Sequence, residues 1–250
     1  MQQETFLRAN ALFQQDRLLF VDMAECVRHG KAVMLYESEN AVLLYEKSSV
    51  IYMLAANDLE GACTALTALK TQKLTGDRCF IVAHGEVARQ AVLNAFPVAK
   101  EQKCYQVAYF GNTVPLNGAL TFSAPTREEV ETVKEIYHLE PPENIERLYA
   151  QGKLFSARLA LGEERGAFVG FIGVHPEGSM GMLHVFERFR RRGYAEEIEK
   201  FLINLYIERG EIPYGHVIYG NQPSLALQEK LGLETATQFV YWLRIQTDKE

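Results

Sequence analysis

A run of arginines followed by a glycine is the part of this sequence whose residue types and spacing most clearly predict a binding site. The run reads Arg190-Arg191-Arg192-Gly193-Tyr194-Ala195, and it lies between the apolar stretch MLHVF and a long amphipathic segment. The first amides of a helix have no intrahelical acceptor and lie at the positive end of the helix dipole, so together they attract anions. Gly193 would let the backbone approach a phosphate closely. The loop therefore predicts a cradle for a pyrophosphate.

The same arginines also have a simpler interpretation. An arginine-rich turn is commonly a solvated surface or a contact patch for another protein. Glu196 and Glu197 in the first helical turn would oppose an anion, so the arginines, with Arg188 on the same loop, must outweigh them.

The elements that must position this loop are predicted from apolar spacing and from turn residues. Thr126 and Glu129 form a T-x-x-E capping box for one helix, and Pro142 suits the first turn of the next. A long helix begins near Gly193, and Gly232 ends a short one. The strands are expected at Leu120–Thr126, Phe155–Leu161, Gly166–His175, Met180–Phe186, Tyr214–Tyr219 and Thr237–Ile245. The order β-α-α-β-β-β-α-β-α-β predicts an α+β fold, a mixed sheet with helices on its faces.

Two sequence blocks in this order resemble the GNAT superfamily of N-acyltransferases. Arg190, Gly193 and Ala195 match the family's acyl-CoA motif, Gln/Arg-x-x-Gly-x-Gly/Ala, directly after the fourth predicted strand. Asn221-Gln-Pro-Ser224, followed by LQEKLGL, is similar to the family's Asn-x-x-Ser/Ala…K-L-G-Phe segment. The resemblance covers about half of the chain and implies a GNAT domain over residues 119–250 with acetyl-CoA or another acyl-CoA as co-substrate.

The resemblance also implies roles for individual residues. Amides of Arg191–Ala195 would bind the CoA pyrophosphate, and the backbone of Leu183 and Val185 would pair with the pantetheine arm, which Asn221 would face. The Val185 amide could then polarise the thioester carbonyl. Two residues depart from the family pattern: Glu187 stands where proline is common, and Gln228 stands where a tyrosine often protonates the leaving thiolate.

Attack by an amine on a thioester needs a base with a pKa near neutrality. His216 on the fifth strand of this domain is the first candidate, and His184 on the fourth is the second. An ordinary hydrogen-bonded strand histidine is the alternative for both. His175, before Pro176, is expected at the surface. Tyr241 and Trp242 on the last strand could line an acceptor pocket, although core packing is favoured.

The first half of the chain carries strands and helices but no catalytic motif. A helix is expected over the first twenty residues, and Asp22 with Glu25 resembles a capping box for the next helix. The segment 111–119 has the glycines, asparagines and proline of a linker. We therefore predict a smaller α/β domain over residues 1–115. The sequence from Pro213 to Leu233 also resembles the glycine N-acyltransferase-like branch of the GNAT superfamily, whose members pair a GNAT-like N-terminal half with a CoA-binding C-terminal half. This resemblance implies that the first domain is a diverged GNAT-like domain.

Composition narrows the function classes. The net charge of -6 disfavours nucleic acid as a partner. Cys26, Cys63, Cys79 and Cys104 have no metal-ligand spacing, so no metal is predicted, and buried or semi-buried thiols in a reducing cytosol are expected. The N-terminal residues do not resemble a signal peptide and no apolar run is long enough to span a membrane, which predicts a cytoplasmic protein without a membrane partner. The oligomeric state is undetermined.

The leading hypothesis is an N-acetyltransferase that moves an acetyl or other acyl group from acyl-CoA to the primary amine of a small molecule, which an amino acid would satisfy. A non-catalytic acyl-CoA sensor or interaction module is a second hypothesis, motivated by Gln228. Acetylation of protein N-termini or lysines is a third.

Overall fold

The computed structural model describes residues 7–70 and 79–246. The helices are α1 Leu7–Gln15, α2 Val21–Arg28, α3 Leu59–Lys70, α4 Gly85–Ala95, α5 Arg127–Ile136, α6 Pro142–Ala150, α7 Tyr194–Glu208 and α8 Gln222–Lys230. The strands are β1 Ala32–Glu37, β2 Ala41–Glu46, β3 Ile51–Ala56, β4 Phe80–His84, β5 Val98–Ala108, β6 Leu120–Ser123, β7 Leu154–Leu159, β8 Phe168–Val174, β9 Met180–Val185, β10 Tyr214–Ile218 and β11 Glu234–Ile245. The predicted mixed α/β class is confirmed.

The chain divides into two units that are not consecutive in sequence. The first contains the described residues up to Ala108 together with His216–Ser224 and the described part of the chain from Glu234. The second contains Tyr109–Gly215 and Leu225–Leu233. The predicted domains, 1–115 and 119–250, are consecutive stretches of chain, and that division stays a prediction.

The first unit is built on a seven-stranded sheet with the strand order β1-β2-β3-β4-β11-β5-β10. From β1 to β5 along this order, neighbouring strands are antiparallel, except that β3 and β4 run parallel. Successive side chains of a strand point to opposite faces, so the sheet has two apolar faces. One face packs on α3 and α4 through residues such as Leu54 and Leu243, and the other packs on α1 and α2 through Met53 and Val240.

The second unit contains a four-stranded antiparallel sheet with the order β6-β7-β8-β9. Apolar residues of α5 and α6, Val130 and Leu148 among them, pack on one face of this sheet around the buried ring of Phe171. The predicted capping box is present, since the Thr126 side chain accepts from the Glu129 amide and Glu129 accepts from the Thr126 amide. This packing fixes β8, and β8 in turn fixes β9, the strand that leads into the arginine loop.

Most predicted elements are present in the predicted order, with one additional 3₁₀ turn at Glu187–Phe189. Asp22 is a correction: α2 begins at Val21 after Phe20 without a side-chain cap, and the Asp22 carboxylate instead faces two histidines. Of the helix expected over the first twenty residues, residues 1–6 lie outside the described residues, and the described helix ends at Gln15.

Candidate active site

The arginine loop forms the start of α7 as an open corner of the backbone. Gly193 is the N-cap residue, in the left-handed conformation with φ 81° and ψ 1°, and no side chain caps the helix. A Cβ placed on Gly193 would have no atom within 4 Å. The ring of Phe189 is buried just before this corner, so the loop is anchored on its protein side while Gly193 stays exposed.

The backbone amides at this corner are available to a ligand. Among residues 7–70 and 79–246, none accepts a hydrogen bond from the amides of residues 191–196. The side chains of Arg191 and Arg192 are exposed, and no carboxylate of the described chain lies within 4.0 Å of either guanidinium. Free amides and unpaired cations at one helix start are the arrangement that binds phosphate groups in proteins.

The other two arginines of the loop have intramolecular roles. Arg190 Nε donates to the carbonyl of Val185 at 3.0 Å, which ties the loop to the end of β9. Arg188 lies 3.5 Å from Glu164 and stacks over the ring of Phe189. The four arginines therefore separate into a pair that shapes the loop and a pair that is free to meet an anion.

The two glutamates that were expected to oppose an anion are held by other groups. Glu196 pairs with Lys200 at 2.7 Å and with Lys230 at 2.6 Å, and these lysines lower its pKa. Glu197 is buried, and its carboxylate accepts from the backbone amides of Asn117 and Gly118 at 2.8 and 3.1 Å. Because both carboxylates are paired or hydrogen-bonded within the protein, their repulsion of an anion at this helix start is reduced.

The predicted linker is held in place by α7. Besides the bonds to Glu197, Val114 donates to and accepts from the side-chain amide of Asn204 at 2.7 and 2.8 Å. No regular element lies between β5 and β6. The segment 111–119 is therefore held against α7 by its backbone groups, which hydrogen-bond to the side chains of Glu197 and Asn204.

The edge of β9 presents the backbone of Val185 outward. Val185 is opposite Gly170 on β8, while the neighbouring Phe186 amide donates to Val169. In an antiparallel pair, the residues between the hydrogen-bonded pairs turn their N–H and C=O away from the partner strand. Since β9 is the last strand of its sheet, the Val185 amide faces the open edge, and its carbonyl is the one that meets Arg190.

A β-bulge lies just before this point. The register of β9 against β8 shifts between Phe171 and Gly173, so that Met182 and Leu183 together oppose one residue. Met182 is buried and has φ 57°, a left-handed conformation that is unusual for a residue other than glycine. The hydroxyl of Tyr137 hydrogen-bonds to the Met182 backbone. The bulge thus fixes where the predicted pantetheine-binding residues, Leu183 and Val185, meet the strand edge.

His184 lies between those two residues and points to the other side of the sheet. Its ring stacks on Phe171 with 5.4 Å between ring centroids and meets Phe186 edge-on. Neither ring nitrogen has a hydrogen-bond partner in the described part of the chain, and the side chain is half-buried. Burial, with a contribution from nearby Arg190, lowers the pKa of His184, so the ring is neutral and able to accept a proton at neutral pH.

His216 belongs to the first unit, and both of its ring nitrogens face polar groups of that unit. Trp242 Nε1 donates to His216 Nδ1 at 3.1 Å, and His216 Nε2 lies 3.3 Å from the carboxylate of Asp22. Asp22 also accepts from His84 Nε2 at 2.8 Å, while His84 Nδ1 faces the carbonyl of Leu54. Burial alone would raise the pKa of Asp22, but the two histidines hold it far below its usual range. His216 is therefore part of a buried polar network.

Asn221 and Ser224 also lie in the first unit. The Asn221 side-chain oxygen accepts from the Ser224 amide at 3.3 Å, which caps the beginning of α8. Asn221 itself is exposed. The spacing Asn-x-x-Ser is thus explained locally by helix capping, and the contact of Asn221 with a pantetheine arm stays a prediction.

Gln228, the departure from the family pattern, has a buried partner that the sequence did not suggest. Its side chain donates to Glu199 on α7 at 2.6 Å, and both side chains are buried. The second oxygen of Glu199 has no hydrogen-bond partner within the described residues, and burial raises the pKa of this carboxyl to about 7. The sequence feature that could have indicated a buried carboxyl here is the position of Glu199, next to Ile198 on the apolar stripe of α7.

Two further expectations are corrected. His175, expected at the surface, is half-buried and hydrogen-bonds to Glu140 at 2.8 Å. Cys63 is exposed, whereas Cys26, Cys79 and Cys104 are buried as expected, and no disulfide joins these four cysteines. Within the described ranges, no group of three or more His, Cys, Asp or Glu side chains is placed to hold a metal ion. No described helix combines the length and the apolar character needed to cross a bilayer.

Several solved structures have the same fold. A Drosophila protein is similar over 100% of this chain and 98% of its own, with a TM-score of 0.64 and 12% identity. A GCN5-related N-acetyltransferase from Kribbella flavida has a TM-score of 0.55 at 13% identity, with 91% of this chain and 94% of that chain covered. A GCN5-related N-acetyltransferase-like protein from Streptococcus suis has a TM-score of 0.51 at 14% identity, with 94% and 99% covered. The chain therefore has a fold that occurs among GNAT acetyltransferases.

A family model also matches part of the sequence. Residues 160–243 match the family described as FR47-like protein. The matched segment contains β8, β9, the arginine loop and α7, and it continues through the Asn221 block. No curated protein matches the sequence.

Proposed function

We propose that this protein is an acyl-CoA-dependent N-acyltransferase whose co-substrate binds at the start of α7. The observation that carries the proposal is the open corner at Gly193, where the amides of residues 191–196 have no acceptor in the described chain and two arginines have no carboxylate partner. The match of residues 160–243 to a family model and the fold shared with GNAT acetyltransferases support the same proposal.

The corner fits the diphosphate of a CoA molecule. A diphosphate needs several donors and positive charge, and the backbone amides together with Arg191 and Arg192 provide both. A side chain at position 193 would project into the space where the phosphates approach, and that space is empty of protein atoms. Leu183 and Val185 would continue the binding surface along β9. Asn221 and Ser224, at the beginning of α8, stay predicted cofactor-binding residues.

Val185 and His184 of β9 then have chemical tasks. Bound acyl-CoA supplies an activated acyl group as a thioester. The Val185 amide, which faces the open strand edge, is placed to donate to the thioester carbonyl oxygen and to stabilise negative charge there. His184 accepts a proton from the substrate ammonium, which frees the nitrogen lone pair to attack the thioester carbon. The pKa of His184 is lowered, and its ring nitrogens have no partner among the described residues. His216 is not assigned as the base, because its ring nitrogens face Asp22 and Trp242 in the buried network.

The leaving group needs no strong acid. A thiol is comparatively acidic, so CoA can leave as the thiolate, and Gln228 in place of tyrosine is then tolerated. We propose the primary amine of a small molecule, such as an amino acid, as acceptor, and acetyl as the acyl group. Membership of the glycine N-acyltransferase-like branch, a cytoplasmic location and independence from nucleic acid, membrane and metal remain part of the proposal.

The first test is calorimetry of the full chain with acetyl-CoA, followed by a thiol-release assay over a panel of small amines. We expect saturable binding and amine-dependent release of free thiol. Absence of binding at millimolar acetyl-CoA, for a protein whose circular dichroism shows it to be folded, would refute the proposal.

A second candidate function is an acyl-CoA-binding module without catalysis. The hydrogen bond between Gln228 and Glu199 favours it, because a buried amide replaces the tyrosine that often acts as acid in the family. Binding of acetyl-CoA without thiol release for any amine would support this candidate. Thiol release with peptides but not with free amines would instead indicate a protein acetyltransferase.

A further inference from the structure

An exposed group of aromatic rings on the first unit is not used by the proposed reaction. Tyr105, Tyr219 and Phe239 have ring centroids 5.1 to 5.6 Å apart. Phe239 is opposite Tyr105 in the β5–β11 pair, and the Tyr219 amide donates to the carbonyl of Lys103 on β5. Residues directly opposite each other lie on the same face of a sheet, so these side chains form one surface. We call Tyr105, Tyr219 and Phe239, with Lys103 between them, the aromatic platform.

The platform is accessible to a ligand. Tyr219 is 54% exposed, and the other two rings and Lys103 are half-buried. Aromatic side chains grouped at a surface are characteristic of binding sites, since isolated exposed apolar residues are common but clusters are not. The hydroxyls of Tyr105 and Tyr219 form no hydrogen bond within the described residues, so two polar groups at this surface are available to a partner.

Lys103 supplies a positive charge that no side chain of the described residues neutralises. Its Nζ lies 3.6 Å from the ring centroid of Phe239 and 4.4 Å from that of Tyr219. No carboxylate in the described ranges lies within 4.0 Å of this ammonium. The rings hold the ammonium in place by cation–π interaction while leaving its charge uncompensated, so the surface is complementary to an anion.

The surrounding charges limit how negative that anion can be. Glu101 precedes Lys103 by two residues on the same face, and Glu86 accepts from the hydroxyl of Tyr241, which is opposite Lys103. Both glutamates pair with Arg89, at 3.0 and 2.6 Å, so together these three side chains carry one excess negative charge. A single carboxylate would be attracted to Lys103, whereas a polyphosphate would be repelled by this neighbouring group.

We propose that the aromatic platform is a binding site for a small aromatic carboxylate. The planar ring of the ligand would stack against the edges and faces of Tyr105, Tyr219 and Phe239, and its carboxylate would meet the ammonium of Lys103 and the tyrosine hydroxyls. This inference does not depend on acyl transfer, because none of the four platform residues is among those proposed to bind acyl-CoA or to take part in its reaction.

The test is calorimetry of the full chain with phenylacetate, compared with cyclohexylacetate and phenethylamine. We expect phenylacetate to bind, cyclohexylacetate to bind about ten-fold more weakly because it lacks the ring, and phenethylamine not to bind because its charge is reversed. Lys103→Met should weaken phenylacetate binding by about ten-fold or more. Lys100→Met is the matched control, since it removes the same charge from an exposed position on the opposite face of β5 and should leave the affinity unchanged.

Several results would overturn the proposal. The first is that phenylacetate does not bind at concentrations on the order of tens of millimolar. The second is that Lys103→Met and Lys100→Met lose the same amount of phenylacetate affinity. The third is that adenosine monophosphate binds more tightly than phenylacetate. Self-association that disappears in Lys103→Met, seen by sedimentation velocity without any ligand binding, would identify the platform as a contact between two copies instead. Gly193→Asp should leave phenylacetate binding intact, which separates failure of this site from failure of the proposed acyl-CoA site.

Discussion

The two units each contain a strand that leads through a glycine into a helix, and the two corners differ in what fills them. At β4–α4, Gly85 is the first helical residue with φ 85°, and at β9–α7, Gly193 is the N-cap with φ 81°. A Cβ on Gly85 would lie 2.7 Å from Oε1 of Gln238, whereas a Cβ on Gly193 would meet nothing within 4 Å. Similar backbone turns therefore give one corner where a side chain of the protein lies against the glycine and one where the space beside the glycine is open.

The charges differ in the same way. Beside the first corner, Asp22 and His84 neutralise each other in the interior, and Glu86 of the first helical turn pairs with Arg89. At the second corner, Arg191 and Arg192 have no carboxylate partner in the described chain. A helix start attracts an anion when positive charges beside it are left unpaired, and of the two corners the second has such charges in Arg191 and Arg192.

The largest expected effect separates the histidines of the two units. His184→Gln should lower kcat by about 10² to 10⁴-fold because the general base is lost, and steady-state thiol release measures it. Since the pKa of His184 is lowered, wild-type kcat should fall only as pH drops below about 6.5, the usual histidine value, because the neutral ring is the active form. His216→Gln is the control and should leave kcat nearly unchanged. A large loss in His216→Gln with none in His184→Gln would reverse the assignment.

The second effect concerns stability and not binding. Asp22→Asn leaves His84 without a buried counter-charge and should lower the free energy of unfolding by about 3 to 5 kcal/mol. Urea denaturation monitored by far-ultraviolet circular dichroism measures this. Asp16→Asn, which affects only a side chain that accepts from the Leu19 amide at 2.9 Å, should cost about 1 kcal/mol. If Asp22→Asn is no more destabilising than Asp16→Asn, the closed corner is not maintained by this ion pair.

The third effect should appear in binding with little change in folding beyond that of its control. Gly193→Asp places a carboxylate at the open corner and should weaken acetyl-CoA binding by about 100-fold through charge repulsion. Gly210→Asp is a matched control, because Gly210 has φ 69° and open space but lies beyond the other end of α7. Calorimetry of both variants measures the difference. Equal affinities would show that the corner does not bind the diphosphate.

The smallest expected effect is the pH dependence of stability that comes from the buried carboxyl of Glu199. Burial raises the pKa of Glu199 from 4.5 to about 7, so the folded state binds its proton more tightly than the unfolded state does. Its favourable contribution is complete below pH 4.5 and is lost as pH rises through 7, an effect of about 1 to 3 kcal/mol. Glu199→Gln should therefore gain stability relative to wild type between pH 5 and pH 8, as urea denaturation at both pH values will show.

Glu196→Gln provides the control for that measurement. Glu196 lies on the same helix but pairs with two lysines, which lower its pKa. Its replacement should slightly lower stability at both pH values. A pH dependence identical to that of wild type in Glu199→Gln would contradict the assignment of a raised pKa. Asp22, whose pKa is depressed, contributes stability in the opposite direction, present above its unfolded pKa and lost in acid.

Much of the fold could be predicted because the signals are local. The capping box at Thr126, the first-turn proline at Pro142 and the glycine at 193 each act within a few residues of their own position. The order of elements from Leu120 to Ile245 follows from such signals and from apolar spacing. The place of β11 between β4 and β5 could not be predicted, because no residue pattern within a strand identifies its neighbours.

The candidate site divides in the same way. The arginine loop was predicted from its spacing, since its role depends on backbone conformation and on charges carried by consecutive residues. The partners of His216 and Glu199 were not predicted. Asp22 and Trp242 meet His216 from distant parts of the sequence, and Gln228 meets Glu199 from another helix. A histidine on a strand has the same sequence pattern whether its nitrogens are open or occupied.

By itself, the sequence determined that a helix begins after a flexible, cationic corner, because glycine and arginine impose those properties wherever they occur. Only the tertiary structure decided that the corner is open, that its glutamates are paired elsewhere, and that His184 keeps unpartnered nitrogens within the described chain while His216 does not. The physical reason is that hydrogen bonding and burial depend on which distant groups occupy the neighbouring space, and packing alone sets those neighbours.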